Sequence, residues 1–320
     1  MKRLPATVGV TSSAPLPVAG WAVIRWPWAL LMRVAACLLL AAVVCSGVGG
    51  YVAWTLTHPA RKPVNILPST AYQDVTFPSR VDKLQLSGWL LDAGSSKTII
   101  EVHGYRDNRL QTQVPAMDVA EQLVHDGYNF LMFDLRDSGL SQGSQTTIGV
   151  FEQRDVAGAV DYVKSLGRAG QHVALLGFSM GAATALIVAG QDPRVEAVIA
   201  DSPFADLYPY LEDNLPVWSH LPAFPFTPLI LGIEPAITGA DPHQSDPIRW
   251  VPKIRAPILF IHGLADNSIP YNNSQQLRAA AANPADQLWL VPGADHIKSF
   301  KTDPRGYWAH VLPFLSAALR

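Results

Sequence analysis

The chain has 320 residues, enough for one large α/β domain or two small ones. Hydrophobic residues make up 49% and charged residues only 16%, short of the usual share of roughly a quarter, so a membrane-embedded or deeply buried segment is expected. A net charge of -2 provides no basic field and excludes nucleic acid as a partner, and the two cysteines, Cys37 and Cys45, exclude a metal cage or disulfide framework outside one N-terminal stretch.

Residues 1–33 carry Lys2, Arg3, Arg25 and Arg33 and read as a cytoplasmic segment. From Val34 to Thr57 there is no charge, and the run is rich in Leu, Val and Ala. As a helix it would extend about 36 Å, enough for a hydrocarbon core of about 30 Å with some tilt. Trp26 and Trp28 stand beyond one end and Tyr51 and Trp54 near the other, where aromatic rings suit an interface. Four basic residues precede the run and only Arg61 and Lys62 closely follow it, which orients the N-terminus inward and the remainder extracytoplasmically. A cleaved signal peptide is the alternative, but its apolar core is usually shorter. Val34-Ala35-Ala36-Cys37 resembles a lipoprotein cleavage box, yet Arg33 interrupts the apolar stretch that should precede one.

Residues 58–70 hold three prolines and read as a linker, and 71–320 as a single domain. Strands are predicted over 84–91, 98–102, 129–134, 173–177, 195–200, 258–261 and 288–291. Helices are predicted over 114–125, 151–166 and 182–189, the second with Val156, Val160 and Val163 on one face. Short apolar runs alternating with helices predict an α/β fold with a mostly parallel central sheet and helices on both faces. Residues 204–252 break the alternation with many prolines and aromatics, among them Tyr208, Tyr210, Trp218, Phe224 and Trp250. So long a connection predicts a helical cap inserted over the sheet's C-terminal edge, where ligands of α/β folds bind.

Gly177-Phe178-Ser179-Met180-Gly181 falls between a predicted strand and a predicted helix. A serine there must adopt a tight turn that lifts its Oγ clear of the sheet, and the following helix aims N–H groups at a reacting carbonyl. A serine nucleophile needs a base oriented by an acid, and both should follow it after later strands. His296 lies just past 288–291 and Asp266 just past 258–261. Asp201, which ends an earlier strand, is the alternative acid. Asp286 precedes its strand, and Asp295 suits a turn cap. An oxyanion hole should use the backbone N–H of Met180 and one from the loop beginning His103-Gly104-Tyr105, by position that of Tyr105.

His103-Gly104-Tyr105, the Asp134-to-Gly139 loop, Gly177 to Gly181, Asp201-Ser202-Pro203 and His262-Gly263-x-x-Asp266 resemble, in this order, recurring elements of the α/β-hydrolase superfamily. More narrowly the chain resembles membrane-anchored bacterial hydrolases of the prolyl-oligopeptidase-like and BEM46-like groups. The superfamily resemblance implies acyl transfer to water through an acyl-enzyme, with no metal or organic cofactor. The Asp134-to-Gly139 loop is expected to be a structural turn. An aromatic cap suits a small apolar ester or acyl substrate, with an amide-cleaving peptidase or a non-catalytic membrane-tethered binder as alternatives.

Overall fold

A computed structural model describes residues 27–320; Lys2, Arg3, Arg25 and Trp26, on which the expected orientation partly rests, lie outside them. The chain divides into two units, Met1–Val44 and Cys45–Arg320. Helix α1, Trp28–Thr57, contributes to both. It begins six residues earlier than the uncharged run because the absence of charge marked where lipid can be crossed, while Arg33 is no obstacle to helix formation. At 30 residues it is long and apolar enough to cross a membrane. Within the first unit its side chains are exposed, including Leu38, Leu39 and Leu40.

The second unit is built on eight strands: β1 (Gln73–Pro78), β2 (Gln85–Leu91), β3 (Lys97–Val102), β4 (Asn129–Phe133), β5 (His172–Phe178), β6 (Ala197–Asp201), β7 (Ile258–Gly263) and β8 (Gln287–Val291). They form one sheet in the order β1-β2-β4-β3-β5-β6-β7-β8. β2 pairs antiparallel with both β1 and β4, and every pairing from β4 to β8 is parallel. The seven predicted strands are present within a few residues. β1 was not anticipated: only Val75 and Phe77 turn inward along it, too short an alternation to stand out in sequence.

Both sheet faces are covered, which is why the central strands read as unbroken apolar runs. On one face pack α3 (Glu152–Ser165), α4 (Met180–Gln191) and α7 (Asn272–Ala280), through residues such as Val156, Val160, Leu186 and Leu277. On the other pack α2 (Ala116–His125) and α9 (Pro304–Ala318), through Val119, Leu123, Val311 and Leu315. Between β6 and β7 stand the expected cap helices, α5 (Leu207–Ser219) and α6 (Ala223–Thr238). Asp206 caps α5 by accepting the Tyr208 N–H, and α6 ends at Gly239 in the left-handed region. The short α8 (Ser299–Thr302) follows β8.

The stretch expected as a linker does not stand off the domain. Arg61 donates to the Ser141 and Gly143 carbonyls, Lys62 pairs with Asp107, and Glu121 accepts from both the Ser69 N–H and hydroxyl. Its prolines rule out regular structure but leave its carbonyls free to accept, as Lys62 and Pro63 do from Asn108 Nδ2.

Candidate active site

Ser179 sits between β5 and α4 with φ 56° and ψ -119°, a backbone conformation that side-chain-bearing residues rarely adopt. The turn is held from below by Ser179 N–H donating to the Asp201 carbonyl at 2.8 Å. The two glycines serve close approach. A Cβ on Gly177 would meet the Ala182 backbone at 2.5 Å, and one on Gly181 would collide with the Val102 carbonyl of β3. Gly181→Ala is therefore expected to destabilise the fold by about 1–3 kcal/mol or more, read as a lowered urea midpoint at unchanged m. A midpoint equal to wild type would mean that β3 and α4 do not pack this closely.

The structure brings Ser179, His296 and Asp266 into one hydrogen-bonded line. His296 Nε2 lies 2.9 Å from Ser179 Oγ, and His296 Nδ1 lies 2.7 Å from Asp266 Oδ2. The other carboxylate oxygen of Asp266 accepts the N–H groups of Ser268 and Ile269, at 2.9 and 2.8 Å. Burial alone would raise the Asp266 carboxyl, but the hydrogen bonds from His262 and His296, the charge of His296 and the Ile269 N–H together hold it well below the usual carboxylate range. Asp266 is thus an anion at any pH near neutrality, positioned to fix the tautomer of His296.

Asp201, the alternative acid, makes no hydrogen bond to His296. Its Oδ1 accepts from the hydroxyls of Ser202 and Ser299. Burial pushes its carboxyl up to about 6, against the Ser202 hydrogen bond and the charges of His262 and His296. The folded chain thus holds this proton more tightly than the unfolded chain, so the contribution of Asp201 to stability is full below about pH 4 and is lost as pH rises from about 4 to about 6. Asp201→Asn is expected to abolish that decline, with a gain over wild type of roughly 3 kcal/mol at most above pH ~7 that shrinks towards pH ~4. Denaturation at both pH values checks it; an equal gain at both would remove the Asp201 charge as the cause.

Among the described residues, neither the Met180 nor the Tyr105 backbone N–H donates to a protein oxygen. Both residues line the same cleft as Ser179 and His296. Gly104 brings the second loop against Ser179: a Cβ there would lie 3.5 Å from Ser179 Cβ. The loop is held on several sides. Gln111 Oε1 accepts the Gly104 N–H at 2.6 Å, Asp107 accepts from Thr112, and Arg109 reaches Asp134 in a fully buried pair at 2.7 Å. A loop so constrained keeps its donors in place without reorganisation, the property an anion-stabilising site needs.

Several supporting residues escaped sequence reasoning. His262 lies 3.3 Å from Asp266 Oδ2, with its ring nitrogens against the Ser274 hydroxyl and the Ile269 carbonyl. Ser202 Oγ accepts the Ile297 N–H, steadying the residue next to His296. His103 is buried between Gly104 and Leu135, accepting the Leu135 N–H at Nε2, and burial lowers its pKa so that it stays neutral. The repeated His-Gly at the ends of β3 and β7 was the available signal, because a histidine at a strand end offers two ring nitrogens to adjoining loops. The Asp134-to-Gly139 loop is structural, as expected: Asp134 anchors Arg109 and the Leu140 N–H, and Arg136 pairs with Asp155 and Asp82.

The mostly parallel eight-stranded sheet, with a serine at a left-handed strand-to-helix turn and a histidine within hydrogen-bonding reach, defines this chain as a serine hydrolase of the α/β-hydrolase superfamily. The Pyrococcus furiosus esterase Pf2001 superposes with a TM-score of 0.70 at 28% identity, covering 82% of this chain and all of the esterase. The sequence model of the X-Pro dipeptidyl-peptidase (S15) family matches residues 93–225. YqkD of Bacillus subtilis is 29% identical over 220 residues, 68% of this chain and 70% of its own. YfhR of Escherichia coli K12 is 29% identical over 259 residues, 77% of this chain and 81% of its own.

Proposed function

We propose that this protein is a membrane-anchored carboxylester hydrolase working through an acyl-enzyme on Ser179. The observation that carries the reading is the unbroken line from Ser179 Oγ through His296 to Asp266, opening into a cleft of about 720 Å³. Ser179 attacks the ester carbonyl as His296 Nε2 takes its proton, and the N–H groups of Met180 and Tyr105 receive the developing oxyanion. His296 then protonates the departing alcohol, and water repeats the sequence to release the acid. Asp266 holds the imidazole and stabilises its charged form. The helix α1 serves as the anchor, with the hydrolase unit on the extracytoplasmic side.

The second reading, a peptidase, is favoured by the S15 match. An enzyme that removes residues from a peptide's free amino end must hold an ammonium group, and carboxylates are the usual means. Among the described residues, the cationic side chains lining this cleft are Lys62 and Arg106, and no Asp or Glu lines it. A neutral or anionic ester fits these walls better. Full-length protein should therefore hydrolyse p-nitrophenyl acyl esters and leave alanyl-prolyl p-nitroanilide uncleaved. Comparable kcat/KM on the anilide would overturn the ester reading in favour of the peptidase, and loss of neither activity on fluorophosphonate treatment would remove the serine mechanism altogether.

A further inference from the structure

One wall of the Ser179 cleft is the end of the apolar helix itself. Val52, Thr55 and Leu56 line it together with Tyr105, Tyr210 and Trp218. Spaced i, i+3, i+4, they form one face of α1. The contact is built into the site. The last carbonyls of a helix have no partner within it, and here the oxyanion loop supplies donors: the Tyr105 hydroxyl to the Leu56 carbonyl at 2.5 Å, and Arg106 Nη2 to the Thr55 carbonyl at 3.0 Å. The Thr146 N–H closes the Thr57 carbonyl at 2.8 Å. Burial pushes the Tyr105 phenol up to about 12, against the pull of Arg106, so it remains a neutral donor.

The cap is joined to the same helix. Ala53 is fully buried in the cluster formed by Leu207, Leu211 and Ile230. Gly49 lets α6 approach, since a Cβ there would lie 3.3 Å from Leu229 Cβ. Gly49 stands eight residues, about 12 Å of helix, before Thr57. Counting about 20 residues from Val34 for the hydrocarbon core reaches roughly residue 53, with Tyr51 and Trp54 as interfacial aromatics. The cleft wall at Val52–Leu56 therefore falls at the level of the lipid–water boundary, with α6 beside it.

The cap hairpin is composed to match. From Asn214 to Ile233 there is no Asp, Glu, Lys or Arg, although about three would be expected from a 16% charged share. Val217 and Phe224 are 64% and 83% exposed at its bend, with Trp218 beside them. Exposed apolar side chains at the tip of an uncharged hairpin, next to an apolar anchor, suit contact with lipid rather than water.

We infer that the substrate is an acyl ester resident in the bilayer, whose chain lies along the Val52–Leu56 face of α1 while its carbonyl reaches Ser179. The inference rests on the hydrolase reading above and adds the substrate class and the residues that select it. The ester C–O bond breaks as the acyl group passes to Ser179 Oγ, the alcohol leaves with the proton held by His296, and water then releases the fatty acid. The anchor is thus part of the acyl site, and a bulky side chain on its inner face should obstruct a long chain more than a short one.

Full-length protein in vesicles of diether phosphatidylcholine, which contain no carboxylic ester, would be assayed on p-nitrophenyl acetate and on p-nitrophenyl palmitate dissolved in the bilayer. Wild type is expected to favour palmitate in kcat/KM by about tenfold or more, and Val52→Trp and Thr55→Trp each to lower that ratio by about tenfold. A wild-type preference for acetate overturns the inference whether or not the variants fold. So does an unchanged ratio in the variant or variants that retain fluorophosphonate labelling. Failure of wild type both to label at Ser179 and to cleave acetate is a different result: it removes the hydrolase reading, and this inference with it.

Discussion

Ser179→Ala is expected to lower kcat/KM on its best ester by about 10⁴- to 10⁶-fold and to abolish fluorophosphonate labelling. The magnitude follows from what remains. Alanine keeps the Cβ, so the left-handed turn at φ 56° and the Ser179 N–H bond to the Asp201 carbonyl are unaffected. The oxyanion donors and the cleft survive, and with them a residual acceleration over water of about 10³–10⁴. Only the atom that forms the covalent intermediate is lost. Initial rates with matched circular dichroism spectra would check this, and a fall smaller than tenfold would place the chemistry elsewhere.

Asp266→Asn is expected to cost about 10³- to 10⁴-fold in kcat and to lower stability near neutral pH, because a carboxylate held well below its ordinary range stabilises the folded chain there. The reason is specific to this site. Asp266 Oδ1 accepts two backbone N–H groups, from Ser268 and Ile269, so an asparagine must keep its carbonyl oxygen there. Its amide nitrogen then faces His296 Nδ1, where Oδ2 now accepts at 2.7 Å. A donor in that position forces His296 to carry its proton on Nε2, the atom 2.9 Å from Ser179 Oγ, and the base can no longer accept the serine proton. Asp201→Asn should have a far smaller effect on rate, because Asp201 is tied to Ser202 and Ser299 instead. If the two substitutions cost the same, the acid is not Asp266, and the assignment passes to Asp201.

Phe204, Tyr210 and Trp218 pack in sequence, Phe204 stacked on Tyr210 at 5.6 Å and Trp218 edge-on to Tyr210 at 5.4 Å. They line the cleft together with Val52, Thr55 and Leu56 of α1.

Much of the site is legible in the sequence, for a physical reason. The nucleophile depends on a local device, a strand running into a turn and a helix within 20 residues, and such periodic signals are written into consecutive residues. The strand ends likewise placed His296 and put Asp266 ahead of Asp201. The membrane-compatible helix and the cap's approximate bounds rested on uninterrupted composition, which is also local. What the sequence left open depends on which distant loops meet. Asp266 and His296 are 30 residues apart and His296 and Ser179 are 117 apart, so the choice of acid is made only where β7 and β8 end side by side. The support of Asp266 by His262, the tie of Ser202 to Ile297 and the burial of Arg109 against Asp134 have no period to betray them. Ser179 as nucleophile candidate was determined by its neighbours in the chain. That it opens towards the last turns of α1, with Tyr105 and Arg106 binding the carbonyls a helix end leaves unsatisfied, was decided only by tertiary packing, because those partners lie about 50 residues away and are chosen by the fold.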